Sequence, residues 1–296
     1  MASPYFSIII PFYNKEKSLD TCLRSLALQD FPKDNYEVIC VDNNSTDGSA
    51  AIVKKYGNIK IIEEKIQNVY AARNTGIGNS SGSTVVFTDA DVEVPVDWLS
   101  NIYSAMQKNK YDILIGWYWP ARPIRLLQIH SLLLCERIKK AVKDKDTSMV
   151  TAGAICLIIK KEIFLKEGLF FDNSNSEDMY FTIRCMSAGY NVGFEEKIAV
   201  KRNDIDSIGI FVLKNFIYGC SNALDIKDRL LFSGKLKYMF ITVKFMFKYF
   251  PVGMGLLLFT FSFFSGYVLS KTRILSPQDL SRLVQRYTRF ISKNAV

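Results

Sequence analysis

Two acidic pairs and a set of polar residues at strand ends are the parts of this 296-residue chain best suited to chemistry. The first pair is Asp89-Ala90-Asp91, which closely follows the apolar run Thr84-Val85-Val86-Phe87. That run reads as a buried strand. Alternate side chains of a strand share a face, so both carboxylates project to one side at its C-terminal end. Paired carboxylates there offer hard oxygen ligands for Mg²⁺ or Mn²⁺, and an ion so held can bind a diphosphate. A motif this short also reads as an acidic turn that closes a strand, and alone it does not decide between the two. The second pair, Glu177-Asp178, opens the stretch running to Arg184. This reads as a helix with Ser176 as its N-cap and Gly189 as its stop. Acids in that first turn complement the positive end of a helix, a structural role that needs no reaction.

The elements that must position these groups alternate in type. Phe6-Ser7-Ile8-Ile9-Ile10 is a buried strand that ends in Pro11-Phe12-Tyr13-Asn14. Leu19, Cys22, Leu23 and Leu26 then mark a helix by their i, i+3, i+4, i+7 spacing, with Ser18 as N-cap. Tyr36 to Val41 is a second strand, running into the turn-rich segment 42–49. A helix to about Tyr56, a strand at 59–62 and a helical stretch opened by Ala71-Ala72-Arg73-Asn74-Thr75-Gly76 follow. Beyond Asp91 the pattern predicts a helix from Val96 to about Lys108 and a strand at 111–116. A helix lies within 121–146, on which His130 reads as a packed residue, and a further strand at 155–159. Such alternation argues for an α/β fold with a mostly parallel central sheet. Ligands of these sheets bind beyond the carboxyl ends of the strands. Asn14, Asp42 and Asp89/Asp91 all fall there, although they are far apart in sequence.

Charge divides the chain. Residues 1–200 are nearly neutral, with 23 Lys and Arg against 24 Asp and Glu, whereas residues 201–296 carry 15 against 5. Within that basic third, 249–270 is free of charge; as a helix it would span ~33 Å, enough for a bilayer core. Pro251, Gly253 and Gly255 would allow it to be re-entrant instead. After Pro277, Leu280, Leu283, Val284 and Tyr287 share one helical face and Arg282, Arg286 and Arg289 largely another, which predicts an interfacial helix over 277–291. The basic excess is expected to meet anionic lipid headgroups rather than nucleic acid. The six cysteines are scattered, with no CxxC pair, and read as buried free thiols in a reducing compartment. The start of the chain lacks the basic region of a secretory signal.

Five short segments, in order, resemble the inverting glycosyltransferases of family 2. They are Ser7-Ile8-Ile9-Ile10-Pro11-Phe12-Tyr13-Asn14, Val41-Asp42-Asn43-Asn44-Ser45-Thr46-Asp47-Gly48, Ala72-Arg73-Asn74-Thr75-Gly76, Asp89-Ala90-Asp91, and Glu177-Asp178 through Arg184 to Gly189-Tyr190. The resemblance covers about residues 5–195 and implies a GT-A fold, Rossmann-like with a mostly parallel sheet, here followed by a helical membrane-associated segment. The expected division is a nucleotide-sugar-binding catalytic domain over 1–230 and a membrane-anchoring region over 231–296. By resemblance, Pro11, Tyr13, Asn14, Glu16, Asp42, Asn44, Arg73, Asn74, Asp89 and Ala90 would bind the nucleotide sugar, with Tyr13 and Asp42 at the base. Asp91, with Asp89, would bind Mn²⁺ or Mg²⁺, and the ion would neutralise the departing diphosphate. Asp178 would be the general base, with Glu177 its neighbour. The implied partners are a nucleotide-diphosphate sugar, a lipid-linked or cell-surface glycan acceptor and membrane lipids, with no nucleic acid. The implied location is a membrane, with the catalytic domain facing the cytoplasm.

The chain departs from the family pattern at three places. Asn43 stands where the family often has a second acid, the stretch 151–154 lacks a frequent asparagine, and a typical downstream histidine is missing. Lys201 or Arg202 would stand in for that histidine as a diphosphate contact. Transfer to a polyprenyl phosphate is the nearest alternative reaction. A non-catalytic nucleotide-binding membrane scaffold is the alternative of another class, against which the three intact acids Asp89, Asp91 and Asp178 argue.

Overall fold

The computed structural model describes residues 3–121, 125–147, 150, 153–171 and 177–203. The chain divides into two compact units. One comprises Met1–Ala121, Thr151–Asp172 and Glu177–Asn203, and the other Arg122–Val150, Asn173–Ser176 and Asp204–Val296.

In the first unit, β1 (Phe6–Phe12), β2 (Tyr36–Asp42), β3 (Ile59–Glu63) and β4 (Thr84–Thr88) alternate with helices α1 (Leu19–Ala27), α2 (Ser49–Val53) and α3 (Val69–Gly78). A short strand β5 (Val92–Glu93) and helix α4 (Trp98–Asn109) follow, then β6 (Ile113–Ile115) and β7 (Tyr118–Pro120). Helix α5 (Arg125–Lys143) belongs to the second unit. The first unit resumes with β8 (Cys156–Lys160), α6 (Lys161–Glu167), α7 (Glu177–Ser187), β9 (Val192–Phe194) and β10 (Val200–Arg202).

The main sheet has the order β3-β2-β1-β4-β8-β6-β9. The first four strands run parallel, so their carboxyl ends form one edge. β8 runs antiparallel to both its neighbours. The expectation of a mostly parallel sheet therefore holds, with one reversed strand that hydrophobic patterning cannot reveal, because burial on both faces looks alike in either direction. β1 and its neighbours carry Ile8, Ile9, Ile10, Ile39, Val85, Val86 and Phe87 with no exposed surface. Pro11, which has no N–H to donate, is accommodated because pairing with β4 stops at Ile9 while pairing with β2 continues. A second sheet, β5-β10-β7, ties residues 92–93 to residues 200–202.

Helix boundaries agree with the periodic apolar residues. Leu19, Cys22, Leu23 and Leu26 of α1 are all buried. Ser18 occupies the N-cap of α1 but makes no side-chain cap bond. Gly189 follows α7 with φ of +89°, the left-handed conformation that favours glycine after a helix. The described cysteines 22, 40, 135, 156 and 185 are buried and free, as their scattered spacing predicts.

The expected membrane-associated segment requires correction. Among the described residues no helix is long and apolar enough to cross a membrane. The longest, α5, has 19 residues but carries Glu136, Arg137, Lys139, Lys140 and Lys143, charges that a bilayer core would not accept. Among the described residues the fold is thus an α/β sheet domain, and no helix there carries the expected membrane segment, membrane location, membrane-lipid contact or cytoplasm-facing orientation. The segments 249–270 and 277–291, the boundary near 230, Ser176 and the side chain of His130 lie outside the described residues.

Candidate active site

The site begins where β1 and β2 end. Asn14 has φ of +51°, and its side chain makes this left-handed turn tolerable by bonding locally. Its Oδ1 accepts the Thr46 N–H at 2.8 Å, and its own N–H donates to Ser45 Oγ at 3.1 Å. Glu16 is also tied to the second loop, with Oε2 accepting the Gly48 N–H at 3.2 Å. A Cβ on Gly48 would lie 2.5 Å from Glu16 Oε1, so a larger residue there would displace the exposed Glu16 carboxylate from this bond. Asp42 is buried, and its Oδ1 accepts the Ser45 N–H at 2.8 Å. Pro11 and Tyr13 are half-buried beside it.

Asn43 now has a physical explanation. Its amide nitrogen donates to two carbonyls, Glu64 O at 3.0 Å and Ile66 O at 2.7 Å. An ionised acid has no proton for either bond. Asn44, with φ of +66°, donates in the same way to Lys65 O at 2.7 Å. The two side chains together pin residues 64–66 against the loop after β2.

The loop after β4 carries Asp89 and Asp91, separated by Ala90, which is packed into the core. Asp91 is only 5% exposed. Its Oδ2 accepts from Lys15 Nζ at 2.5 Å, whereas its Oδ1 is buried with no hydrogen-bond partner among the described residues. Burial and the neighbouring Asp91 charge raise the Asp89 pKa, against the pull of Arg73, Arg202 and Lys15. β10 delivers Arg202 to this place, because it pairs with Val92 and the next residue, Asn203, donates its N–H to Asp91 O at 2.8 Å. The Arg202 guanidinium also lies 5.5 Å from the centroid of the Tyr118 ring. Lys201 instead reaches Glu93, at 3.3 Å, on the exposed side. Of the two stand-ins for the missing histidine, Arg202 is therefore the one within electrostatic reach of Asp89.

Arg73, on α3, joins the two acidic pairs. Its guanidinium lies 3.5 Å from Asp89 Oδ1 and makes a direct ion pair with Glu177. Arg73 and Glu177 are both buried. Burial pushes the Glu177 carboxyl up to about 7, even with the guanidinium beside it pulling the other way. Asp178 is held differently. Its Oδ2 accepts the Ala154 N–H at 2.6 Å and its Oδ1 accepts the Met179 N–H at 2.8 Å. Asn74 is tied to backbone: its amide both donates to Phe170 O at 2.9 Å and accepts the Phe170 N–H at 3.1 Å. It clamps the backbone that leads toward α7.

Among the described residues no group of three or more His, Cys, Asp and Glu could hold a metal ion. The pair Asp89/Asp91 nevertheless fits a hard divalent ion. Both donors are carboxylate oxygens, Asp91 Oδ1 is buried without a partner, and Mg²⁺-type ions commonly take one or two carboxylates and complete their shell with phosphate oxygens and water.

Sequence reasoning missed Lys15. The only signal for it was a lysine directly after the strand-end Asn14, and nothing in the local pattern indicates a partner 76 residues away.

Glycosyltransferase AglE of Haloferax volcanii is 30% identical over 205 residues, 66% of this chain and 66% of that protein. A poly(ribitol-phosphate) beta-glucosyltransferase of Bacillus spizizenii is 39% identical over 116 residues, 37% of this chain and 18% of that much longer protein. Among solved structures, the mannosyltransferase PcManGT from Pyrobaculum calidifontis, in complex with GDP-Man and Mn2+, matches with a TM-score of 0.70. It covers 91% of this chain and 88% of its own at 16% identity, a likeness of fold. The profile of glycosyl transferase family 2 matches residues 7–164. That match takes in more than half of the sequence and holds both strand-end loops, Arg73 and the Asp89/Asp91 pair; the chain belongs to glycosyl transferase family 2.

Proposed function

We propose that this protein transfers a sugar, with inversion, from a nucleotide-diphosphate sugar to a hydroxyl of a lipid-linked or cell-surface glycan, with Mn²⁺ or Mg²⁺ held at Asp89 and Asp91. The observation that carries this reading is the convergence of both acidic pairs on one buried guanidinium, that of Arg73. An in-line displacement needs a leaving-group clamp and a base on opposite sides of one sugar. A shared guanidinium keeps two such halves in register.

The chemistry follows from the side chains. Asp178, fixed by two backbone N–H groups, takes the proton of the acceptor hydroxyl. The acceptor oxygen bonds to the anomeric carbon while the bond from that carbon to the phosphate oxygen breaks, and the electron pair leaves with the nucleotide diphosphate. When bound, the divalent ion supplies Lewis-acid neutralisation of that diphosphate. Arg202 adds positive charge beside Asp89. Tyr13 offers a ring for the base, and Asp42 accepts from a base N–H. The relatives support the substrate class through their names, which include transferases acting on poly(ribitol-phosphate) and on a dolichyl-phosphate-linked sugar.

The test is a screen of UDP-, GDP- and dTDP-sugars with Mn²⁺ or Mg²⁺, reading binding and hydrolysis. We expect one donor class to bind. Asp178→Asn should lose roughly 10²- to 10⁴-fold in turnover while still binding nucleotide, and Asp91→Ala should lose metal-dependent binding. Failure of every donor to bind, or full transfer by Asp178→Asn, overturns the proposal.

A further inference from the structure

Lys15 has no place in the reaction as described so far, yet it is the side chain most directly engaged with Asp91. Its location is built rather than incidental. The chain turns at Asn14 through a positive φ, and the backbone on either side of the turn is pinned to the neighbouring loop: Asn14 N–H to Ser45 Oγ at 3.1 Å and Lys15 N–H to Ser49 Oγ at 2.8 Å. Ser49 Oγ donates in turn to Asp47 Oδ1 at 2.5 Å. From that fixed start the lysine crosses from the loop after β1 to the loop after β4. These loops diverge at the point where strand order reverses, the usual crevice for ligands of such sheets.

Asp91 consequently presents two unlike oxygens. Oδ2 is taken by an ammonium, and Oδ1 is buried without a donor. The Lys15 side chain is 35% exposed, so its charge is open to solvent as well as to Asp91, and it acts electrostatically on Asp89. We propose that Lys15 is a positioning residue that shares Asp91 with the divalent ion: it holds Oδ2, leaves Oδ1 to the ion, and turns its charge to the diphosphate of the donor. This rests on the metal-assisted transfer proposed above.

The sharing has a definite electrostatic signature. An ammonium and a divalent ion on one carboxylate repel each other, so Lys15 weakens the binding of the ion alone. The same ammonium attracts a diphosphate, so Lys15 strengthens the binding of nucleotide. One substitution should therefore move the two affinities in opposite directions, which a general loosening of the loop cannot do.

The experiment uses the full chain and its variants Lys15→Met and Lys15→Arg. Mn²⁺ binding is read from the electron paramagnetic resonance of the free ion, and UDP and GDP binding by calorimetry without metal. For Lys15→Met we expect Mn²⁺ alone to bind about tenfold tighter and the preferred nucleotide about tenfold more weakly, the size of one partly buried charge contact. Lys15→Arg, which keeps the charge, should stay within about threefold of the parent in nucleotide affinity. If Lys15→Met does not fold, Lys15→Gln replaces it. Shifts in the same direction, or neither above about twofold, overturn the role of Lys15 while leaving the transfer reading intact. A parent protein that binds neither Mn²⁺ nor nucleotide overturns that reading instead.

Discussion

Replacing Arg73 by methionine tests the bracket that joins the two acidic pairs. Methionine keeps much of the length and apolar stem of the side chain and removes the charge. In the parent, Arg73 and Glu177 are 8% and 2% exposed at their side chains, so neither charge is helped much by water. Removing one member of such a pair leaves the other buried and uncompensated, at a cost of about 3–5 kcal/mol. Against a total stability of about 5–15 kcal/mol, that is a large fraction. At about 2–4 °C per kcal/mol for a domain of this size, the melting temperature should fall by roughly 6–20 °C.

The pH dependence gives the experiment its sign. Burial already lifts Glu177 from 4.5 to about 7, and Arg73 opposes that rise. Without Arg73 the folded-state pKa climbs further above the unfolded value. A carboxyl whose pKa is raised on folding carries its proton in the native state after the unfolded chain has released it, so stability falls as pH rises through that window. The penalty for Arg73→Met should thus be larger at pH 8 than at pH 5. Urea unfolding at both pH values, with Glu177→Gln and the double variant, completes a cycle. The double variant should be more stable than Arg73→Met alone at pH 8. The bracket is refuted if the two substitutions add within about 0.5 kcal/mol, or if the penalty is the same at both pH values.

Two further outcomes follow from contacts away from the charges. Asn74→Ala removes both bonds to the Phe170 backbone and should cost about 1–3 kcal/mol in chemical unfolding, while nucleotide affinity is retained. A loss of nucleotide binding as large as that of Asp91→Ala would show instead that Asn74 contacts the donor. Gly76→Ala would place a Cβ 2.4 Å from Ile9 Cγ2, at the contact between α3 and β1. Despite the better helix propensity of alanine, we expect a net loss of about 1–3 kcal/mol, and an unchanged or raised melting temperature would contradict the packing described.

The cluster at the strand ends was legible in the sequence because it is local. Each strand of the run β1, β2, β4 ends in its own polar loop, so Asn14, Asp42 and Asp89/Asp91 could be placed on one edge from strand-and-helix alternation alone. Contacts that close over long separations were not legible. Lys15 finds Asp91 across 76 residues, Arg73 finds Glu177 across 104, and Asn74 turns to Phe170 across 96. The resemblance implies a nucleotide contact for Asn74, and its bonds to the Phe170 backbone could not be read from the motif. The charge-free run 249–270 lies outside the described residues, and composition alone carries the same signal whatever such a run packs against.

The reversed strand β8 has a consequence for how such a site can vary. Where the parallel strands end, those ends and the loops leaving them bring the side chains of Asp42, Asp89 and Asp91. β8 starts at that edge, with Cys156 beside Thr88, so the segment entering it brings N–H groups there instead. One of these, from Ala154, grips Asp178. The grip on Asp178 belongs to the main chain, so it holds whichever side chain residue 154 carries.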